Sequence, residues 1–113
     1  MTDCLFCNIA NGDIPTDFVY EDDRLVAFKD INPKAPHHLL IIPRTHIATL
    51  NDFNQVDETL IGQMMLTAKK IAEDLGINER GYRVVMNCNN EGGQEVYHAH
   101  LHLLGGERLS WFK

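Results

Sequence analysis

The sequence has few cysteines, no long apolar run and no excess of basic residues, and each absence excludes a class of protein. Three cysteines among 113 residues are too few for a disulfide framework, and we expect a reducing, cytoplasmic setting. No run of about 18 apolar residues exists, so no membrane contact is predicted, and residues 1–11 lack the features of a secretory signal. A net charge of −6 argues against a general affinity for nucleic acid. A single nucleotide could still be bound by backbone N–H groups and a few local donors.

Hydrophobic periodicity predicts one α+β domain over residues 1–113, with a mostly antiparallel sheet, one short helix and one long helix. The short helix follows Cys4 and stops at Asn11-Gly12, and the long helix lies within residues 54–76. Its apolar residues recur at helical spacing and form one stripe that is expected to face the core: Leu60, Ile61, Met64, Ala68, Ile71, Ala72 and Leu75. Residues 18–28 form one hairpin, and residues 82–104, turning at Asn90-Glu91-Gly92-Gly93, form a second. Between them HLLIIP, residues 38–43, is predicted to be a central strand that is covered on both faces or lies in an interface.

Three histidines alternate with apolar residues in YHAHLHLL, residues 97–104. We expect a strand there that projects His98, His100 and His102 from one face, because side chains at i, i+2 and i+4 share a face. A purely structural role is costly, since several buried ring nitrogens would need partners. Two chemical roles remain open: ligands for a metal such as Zn²⁺, or a nucleophile flanked by donors to a phosphate. Spacing alone does not separate them.

This segment resembles the signature of the histidine triad (HIT) family, His-x-His-x-His-x-x with apolar x. FKDINPKAPHHLLIIPRTHI, GYRVVMN and GGQEVYH resemble the family in the same order, so that the resemblance covers nearly the whole chain. LLGGERLSWF is similar to the histidine triad nucleotide-binding (Hint) branch, which cleaves adenosine phosphoramidates. The resemblance implies a HIT-like fold with a five-stranded sheet that extends across a homodimer.

The resemblance also implies hydrolysis of a purine nucleoside phosphoramidate, adenosine 5′-phosphoramidate, to AMP through a covalent nucleotidyl-histidine intermediate, with no cofactor for catalysis. His100 would be the nucleophile, with its other ring nitrogen held by a backbone carbonyl. His102 and His38 would donate to the phosphate oxygens, and His98 would support the site from one end of the strand. Because the family's transferase branch has glutamine where this chain has His102, hydrolysis is favoured over transfer.

Nucleotide-binding residues are also implied by the resemblance. Asp30 would accept hydrogen bonds from the ribose hydroxyls, Asn87 would reach the phosphate or leaving group, and Trp111 would extend toward the partner's site. The wall around the base would consist of apolar residues, although Leu40 fits an ordinary core position equally well: Phe6, Ile9, Phe28, Ile31 and Leu40. Backbone N–H groups near the phosphate would come from the turn before the triad: Gly93, Gln94, Glu95 and Val96.

Glu95 departs from some members of this branch, which carry at this position a serine that hydrogen-bonds the leaving group. A carboxylate beside a phosphate is repulsive unless it is protonated or turned away. The preference for a leaving group is therefore open, whereas hydrolysis is not affected.

Cys4 and Cys7, in CLFC, have three possible roles: a redox pair, core side chains, or half of a zinc site. No strand precedes them, which argues against a thioredoxin-like redox motif. Some histidine triad proteins complete such a pair with the histidine of a Pro-x-x-His element and the first triad histidine, here His46 and His98. The resemblance thus implies a Cys₂His₂ structural zinc with no open position for water.

Three rival functions stay open on the sequence. The first keeps the enzyme but gives it dinucleoside polyphosphates as substrates. The second is a nucleotide-binding regulatory protein whose turnover is incidental. The third is a zinc hydrolase that uses the triad as metal ligands.

Overall fold

A computed structural model describes residues 1–111, so that Phe112, in the C-terminal stretch that resembles the family, lies outside the described residues. The elements follow the predicted order. The helices are α1 (Leu5–Ala10) and α2 (Glu58–Asp74), and the strands are β1 (Phe18–Glu21), β2 (Leu25–Lys29), β3 (His37–Pro43), β4 (Tyr82–Val85) and β5 (Leu101–Gly105).

The five strands form one antiparallel sheet in the order β1-β2-β3-β5-β4, with β3 at its centre. Alternate side chains of β3 lie in two different apolar clusters. Leu39 and Ile41 pack under α2, whereas Leu40 and Ile42 pack with α1 on the opposite face. The uninterrupted apolar run of β3 is therefore explained, because both of its faces are covered. The α+β fold with a central β3 is confirmed.

The long helix α2 packs its predicted stripe on β3 and β5. Leu60, Met64, Ala68, Ile71 and Ala72 are all buried in the cluster beneath it. Gly76 follows the helix with φ +75, a conformation that glycine adopts without steric cost, which explains where the helix ends.

The prediction of a tight second hairpin is wrong. Strand β5 begins only at Leu101, and residues 86–100 form a long irregular connection that contains a 3₁₀ turn, Asn90–Gly92. Of the three triad histidines only His102 lies in a strand. The physical reason is a competing partner: the N–H of Ala99 donates to the carbonyl of Ile47 (2.7 Å), on the connection after β3, instead of joining the ladder with β4.

Candidate active site and metal centre

A cleft of about 600 Å³ opens on the α1 side of the sheet, a volume in the range of small-ligand sites. The elements bring most of the predicted site residues to it, because β2, β3 and β5 project alternate side chains toward this face. The predicted residues that line the cleft are Phe6, Ile9, Phe28, Asp30, Ile31, His38, Leu40, Asn87, Gly93, Glu95, Val96, His100 and His102.

Three of the residues predicted for catalysis or nucleotide binding lie elsewhere. His98 is fully buried beside Cys4 and Cys7 and does not line the cleft. Gln94 is buried within the loop before it, and Trp111 is 85 % exposed outside the cleft. The loop also uses two of the predicted phosphate donors, since the N–H of Gly93 donates to Asn90 and that of Gln94 to Asn89. These two N–H groups close the turn and are not aimed at the cleft.

His100 lies at the floor of the cleft with one ring nitrogen committed to the backbone. Its Nδ1 is 2.8 Å from the carbonyl oxygen of His98. Because a carbonyl only accepts, Nδ1 carries the proton and Nε2 of the neutral ring keeps its lone pair. Burial lowers the pKa of His100 below its usual value, partly offset by the hydrogen bond to His98 and by the charge of Asp30. The ring is thus held neutral with one nucleophilic nitrogen.

His38 and His102 form a directed pair beside it. The backbone N–H of Lys34 donates to Nδ1 of His38 (3.0 Å), so the proton of neutral His38 is on Nε2. This Nε2 lies 2.9 Å from Nδ1 of His102, which must accept, and the proton of neutral His102 is therefore on its Nε2. Burial first, and then the charges of His100 and His38, lower the pKa of His102 to about 4. Burial likewise lowers the pKa of His38. Both rings are neutral near pH 7, and the chain of hydrogen bonds leaves an N–H donor on His102.

Asp30, His38 and His102 also bring one donor atom each to within 4.8 Å of one another, as metal ligands would. The hydrogen bonds argue against a metal at this point. A neutral imidazole ligates through a nitrogen that has no proton, and the bond from Lys34 places the proton of His38 on the very nitrogen that faces the other two groups. The tautomers therefore suit proton donation and not coordination.

A second cluster has the geometry of a zinc site. One donor atom each of Cys4, Cys7, His46 and His98 lies within 4.8 Å of the other three. The Sγ–Nδ1 distances are 3.3 Å for Cys4–His98, 3.5 Å for Cys7–His98 and 3.4 Å for Cys7–His46. In a tetrahedral site with Zn–S of about 2.3 Å and Zn–N of about 2.0 Å, neighbouring S and N donors are separated by roughly 3.5 Å. The residues present therefore fit zinc in both donor chemistry and spacing.

The surroundings of Cys7 favour its protonated thiol. Burial first, and then the hydrogen bond and charge of Cys4, raise the pKa of this thiol to about 11. His98 donates from Nε2 to the carbonyl of Pro43 (2.7 Å), so its Nδ1 offers a lone pair to the two sulfur atoms. His98 also presents its own carbonyl to His100, and thus connects the cluster with the floor of the cleft.

Several contributors were not found from the sequence. Arg83 and Val85 line the cleft together with Asn87, and the alternation of β4 could have revealed them, since these three share a face. The N–H of Lys34 and the carbonyl of Pro43 determine which nitrogen of His38 and of His98 carries the proton. Every residue has these backbone groups, so the sequence gives no sign of which ones will be used.

Comparison with known proteins places the chain in a family. A family model described as the HIT domain matches residues 11–109. The chain is 53 % identical to the purine nucleoside phosphoramidase of Escherichia coli K12 over 93 % of its own length and 88 % of that protein. It is similar to a HIT family hydrolase from Legionella pneumophila Philadelphia 1, with 56 % identity, a TM-score of 0.95 and coverage of 96 % of this chain and 97 % of that one. A histidine triad nucleotide-binding protein from Candida albicans gives 29 % identity and a TM-score of 0.82, with coverage of 98 % and 86 %. With its triad rings and cleft placed as described, the chain belongs to the histidine triad (HIT) family.

Proposed function

We propose that the chain is a purine nucleoside phosphoramidate hydrolase that converts adenosine 5′-phosphoramidate to AMP. The observation that carries this proposal is the orientation of His100, whose Nδ1–H is held by the carbonyl of His98 while Nε2 keeps its lone pair at the cleft. The similarity to the phosphoramidase of Escherichia coli supports the same substrate class.

The proposed reaction has two steps. Nε2 of His100 attacks the α-phosphorus, the P–N bond breaks, and the nitrogen takes up a proton from solvent and leaves as the amine, while the nucleotidyl group is carried on His100. The oxygen of a water molecule then bonds to phosphorus as the bond from phosphorus to Nε2 breaks; the water releases a proton to solvent, AMP is formed and Nε2 regains its lone pair. His102 donates its Nε2–H to a phosphate oxygen as charge develops. His38 acts through His102, because its only proton is directed to that ring.

Substrate contacts follow from the walls of the cleft. Asp30 is proposed to accept from the ribose hydroxyls, and Asn87 to reach the phosphate or the leaving group. Glu95, exposed at the cleft, adds a negative charge that disfavours leaving groups with further phosphates. The base is proposed to lie against the apolar side of the cleft: Phe6, Ile9, Phe28, Ile31 and Leu40.

We further propose a structural zinc on Cys4, Cys7, His46 and His98. Zinc would supply no chemistry to the reaction; it would join α1 to the segment after β3 and to the turn that carries His98. This assignment rests on the S–N distances near the tetrahedral value.

We also propose a homodimer, which the family resemblance implies. In support, Leu66 and Met65 on α2 are 65 % and 47 % exposed. Helix α2 packs on β3 and β5, and β5 is the neighbour of β4 in the sheet. Strand β4 is an edge strand. An exposed apolar patch beside an open sheet edge favours self-association.

The test of the function is AMP release from adenosine 5′-phosphoramidate by the wild type and by His100→Asn, each with and without a zinc chelator. We expect activity to survive chelation and to fall at least about a thousandfold in His100→Asn, because the nucleophile is lost. His37→Asn is the matched control, since His37 precedes His38 on β3 but does not line the cleft.

Equal activity in wild type and His100→Asn contradicts the role of His100. Loss of activity on chelation with retained fold supports the zinc hydrolase instead. Faster cleavage of a diadenosine polyphosphate than of the phosphoramidate assigns the alternative substrate class.

A further inference from the structure

Residues 89–96 form the cleft loop, and within it the side chain of Gln94 faces away from the cleft. Its neighbours in sequence, Gly93, Glu95 and Val96, line the cleft, whereas Gln94 does not and is 7 % exposed. A buried primary amide is costly unless its donors and its acceptor are all paired.

The Gln94 side chain makes three hydrogen bonds to backbone groups. Its Oε1 accepts from the N–H of Asn89 at 2.8 Å. Its Nε2 donates to the carbonyl of Ala48 at 2.8 Å and to that of Val96 at 3.1 Å. Ala48 belongs to the connection that follows β3, so the amide joins both ends of the cleft loop to a neighbouring segment of the fold.

Asn89, which Gln94 holds, has a strained backbone. Its φ of 62 and ψ of −175 fall in a region that is essentially restricted to glycine, and it is the one non-glycine residue with positive φ among residues 1–111. Besides its N–H, its carbonyl is engaged by the N–H groups of Gly92 (3.2 Å) and Gln94 (3.1 Å). The backbone of Asn89 is thus held on both sides in a conformation that it would otherwise leave.

We propose that Gln94 is a positioning residue that keeps Asn89 in this strained conformation and thereby fixes the wall of the cleft formed by Asn87, Glu95 and Val96. Gln94 does not touch the substrate. The inference rests on the proposed function, because it assigns that wall to the phosphate and the leaving group.

A displaced wall has a particular kinetic signature. Base and ribose are assigned to Phe28 and Asp30, whose backbones are held by pairing with β3 and not by the hydrogen bonds of Gln94. Contacts made by the loop act where charge develops in the transition state. Loss of the Gln94 bonds therefore lowers kcat while KM changes little.

The strain offers a second signature, which separates positioning from simple loss of stability. Glycine adopts the φ and ψ of Asn89 without steric cost. In a chain that lacks the Gln94 amide, Asn89→Gly removes the tendency of the loop to relax and restores part of kcat. In the wild type the same substitution changes kcat little, because the amide already holds the conformation.

The experiment compares wild type, Gln94→Met, Asn89→Gly and the double variant, using kcat and KM for AMP release together with Tm. Methionine keeps the length of glutamine without its hydrogen bonds. We expect Gln94→Met to lower kcat about tenfold or more with KM within about threefold, and the double variant to recover at least about threefold of that loss. Gln55→Met, at an exposed glutamine, and Asn90→Gly, in the same loop but without positive φ, are the matched controls.

Hydrogen exchange of the loop amides provides a readout that needs no activity. The N–H of Asn89 is protected in the wild type and exchanges faster in Gln94→Met, while the amides of β3 are unchanged. If the wild type releases no AMP but this difference is observed, the proposed function fails and the holding of Asn89 stands. Any of three results overturns the inference. They are unchanged exchange of the Asn89 N–H in Gln94→Met, unchanged kcat in Gln94→Met, and an equal effect of Asn89→Gly on kcat in the wild type and in Gln94→Met. If Gln94→Met does not fold, Gln94→Ala, which likewise lacks the three hydrogen bonds of the amide, replaces it under the same criteria.

Discussion

At the scale of single residues, backbone groups decide what each imidazole of the site can do. The carbonyls of Pro43 and His98 accept from His98 and His100, and the N–H of Lys34 donates to His38. Each hydrogen bond fixes whether one ring nitrogen of the neutral imidazole carries the proton, and so determines whether the other nitrogen can donate or accept. Chemically identical side chains are thereby suited to different proposed roles: a metal ligand, a nucleophile and a proton donor.

The cleft histidines predict a loss of stability in acid. The folded pKa of His102 is about 4, against about 6.5 for an unfolded histidine, and that of His38 is also lowered. Below about pH 6.5 the unfolded chain takes up protons that the folded chain does not, so the free energy of unfolding decreases as the pH falls toward 4. Urea unfolding at pH 7 and pH 5 measures the decrease. We expect it to be smaller in His102→Gln by about 1 kcal/mol, after allowance for solvent screening.

His37→Gln is the control for this measurement, because it removes a histidine of the same sheet from outside the cleft. A decrease that is the same in wild type and His102→Gln would show that His102 is not held neutral by the fold.

At the scale of elements, the short helix α1 and the connection of residues 86–100 determine the site. Helix α1 has only six residues, too few to be stable alone. It is anchored by Phe6 and Ile9 in the apolar cluster above the sheet and by Cys4 and Cys7 beside His98. The connection holds the strained Asn89, a conformation that costs about 1–3 kcal/mol and persists only where its surroundings enforce it.

Metal analysis tests the anchoring of α1. We expect one zinc per wild-type chain and far less in Cys7→Ser, with a loss of stability of about 2 kcal/mol or a Tm lower by about 10 °C. The rate of AMP release at 25 °C should stay within about threefold, since the proposed role of zinc is structural. Elemental analysis, thermal unfolding and the activity assay provide the three measurements.

Cys88→Ser is the matched control, because Cys88 lies outside the four-residue cluster. A rate that falls in proportion to zinc content, while the fold persists, would contradict a purely structural metal.

At the scale of the whole molecule, the sheet separates a stabilising face from a reactive one. The long helix covers one face with the larger apolar cluster, while the short α1 covers only part of the other and leaves the cleft open. No described helix is long and apolar enough to cross a membrane. The exposed apolar side of α2 and the edge strand β4 form the surface proposed for the homodimer.

Substitution in that surface tests the assembly. We expect wild type to sediment as a dimer and Leu66→Glu as a monomer, because a buried unpaired carboxylate costs several kcal/mol at an interface. Val56→Glu is the control, since Val56 is 87 % exposed in the 3₁₀ turn Gln55–Asp57, before α2. Analytical ultracentrifugation gives the mass. A dimeric Leu66→Glu, or a monomeric wild type, would exclude this interface.

The sequence by itself determined the element order, the central position of β3 and the buried stripe of α2. These features depend on local periodicity. An apolar face of a helix or strand is buried away from water whichever neighbouring element covers it, so the pattern within one segment is enough to predict it. It also identified most of the residues that line the cleft and the four residues of the Cys/His cluster, through resemblance to a family with a specific signature.

Tertiary structure decided what depends on partners distant in the chain. The N–H of Ala99 donates to the carbonyl of Ile47, and β5 therefore begins only at Leu101. His98 lies beside the thiols of Cys4 and Cys7 instead of lining the cleft. The amide of Gln94 is turned inward by Asn89, Ala48 and Val96. A side-chain pattern specifies which face a residue prefers, whereas a hydrogen bond depends on the position of one particular backbone group, and only the folded chain determines that position.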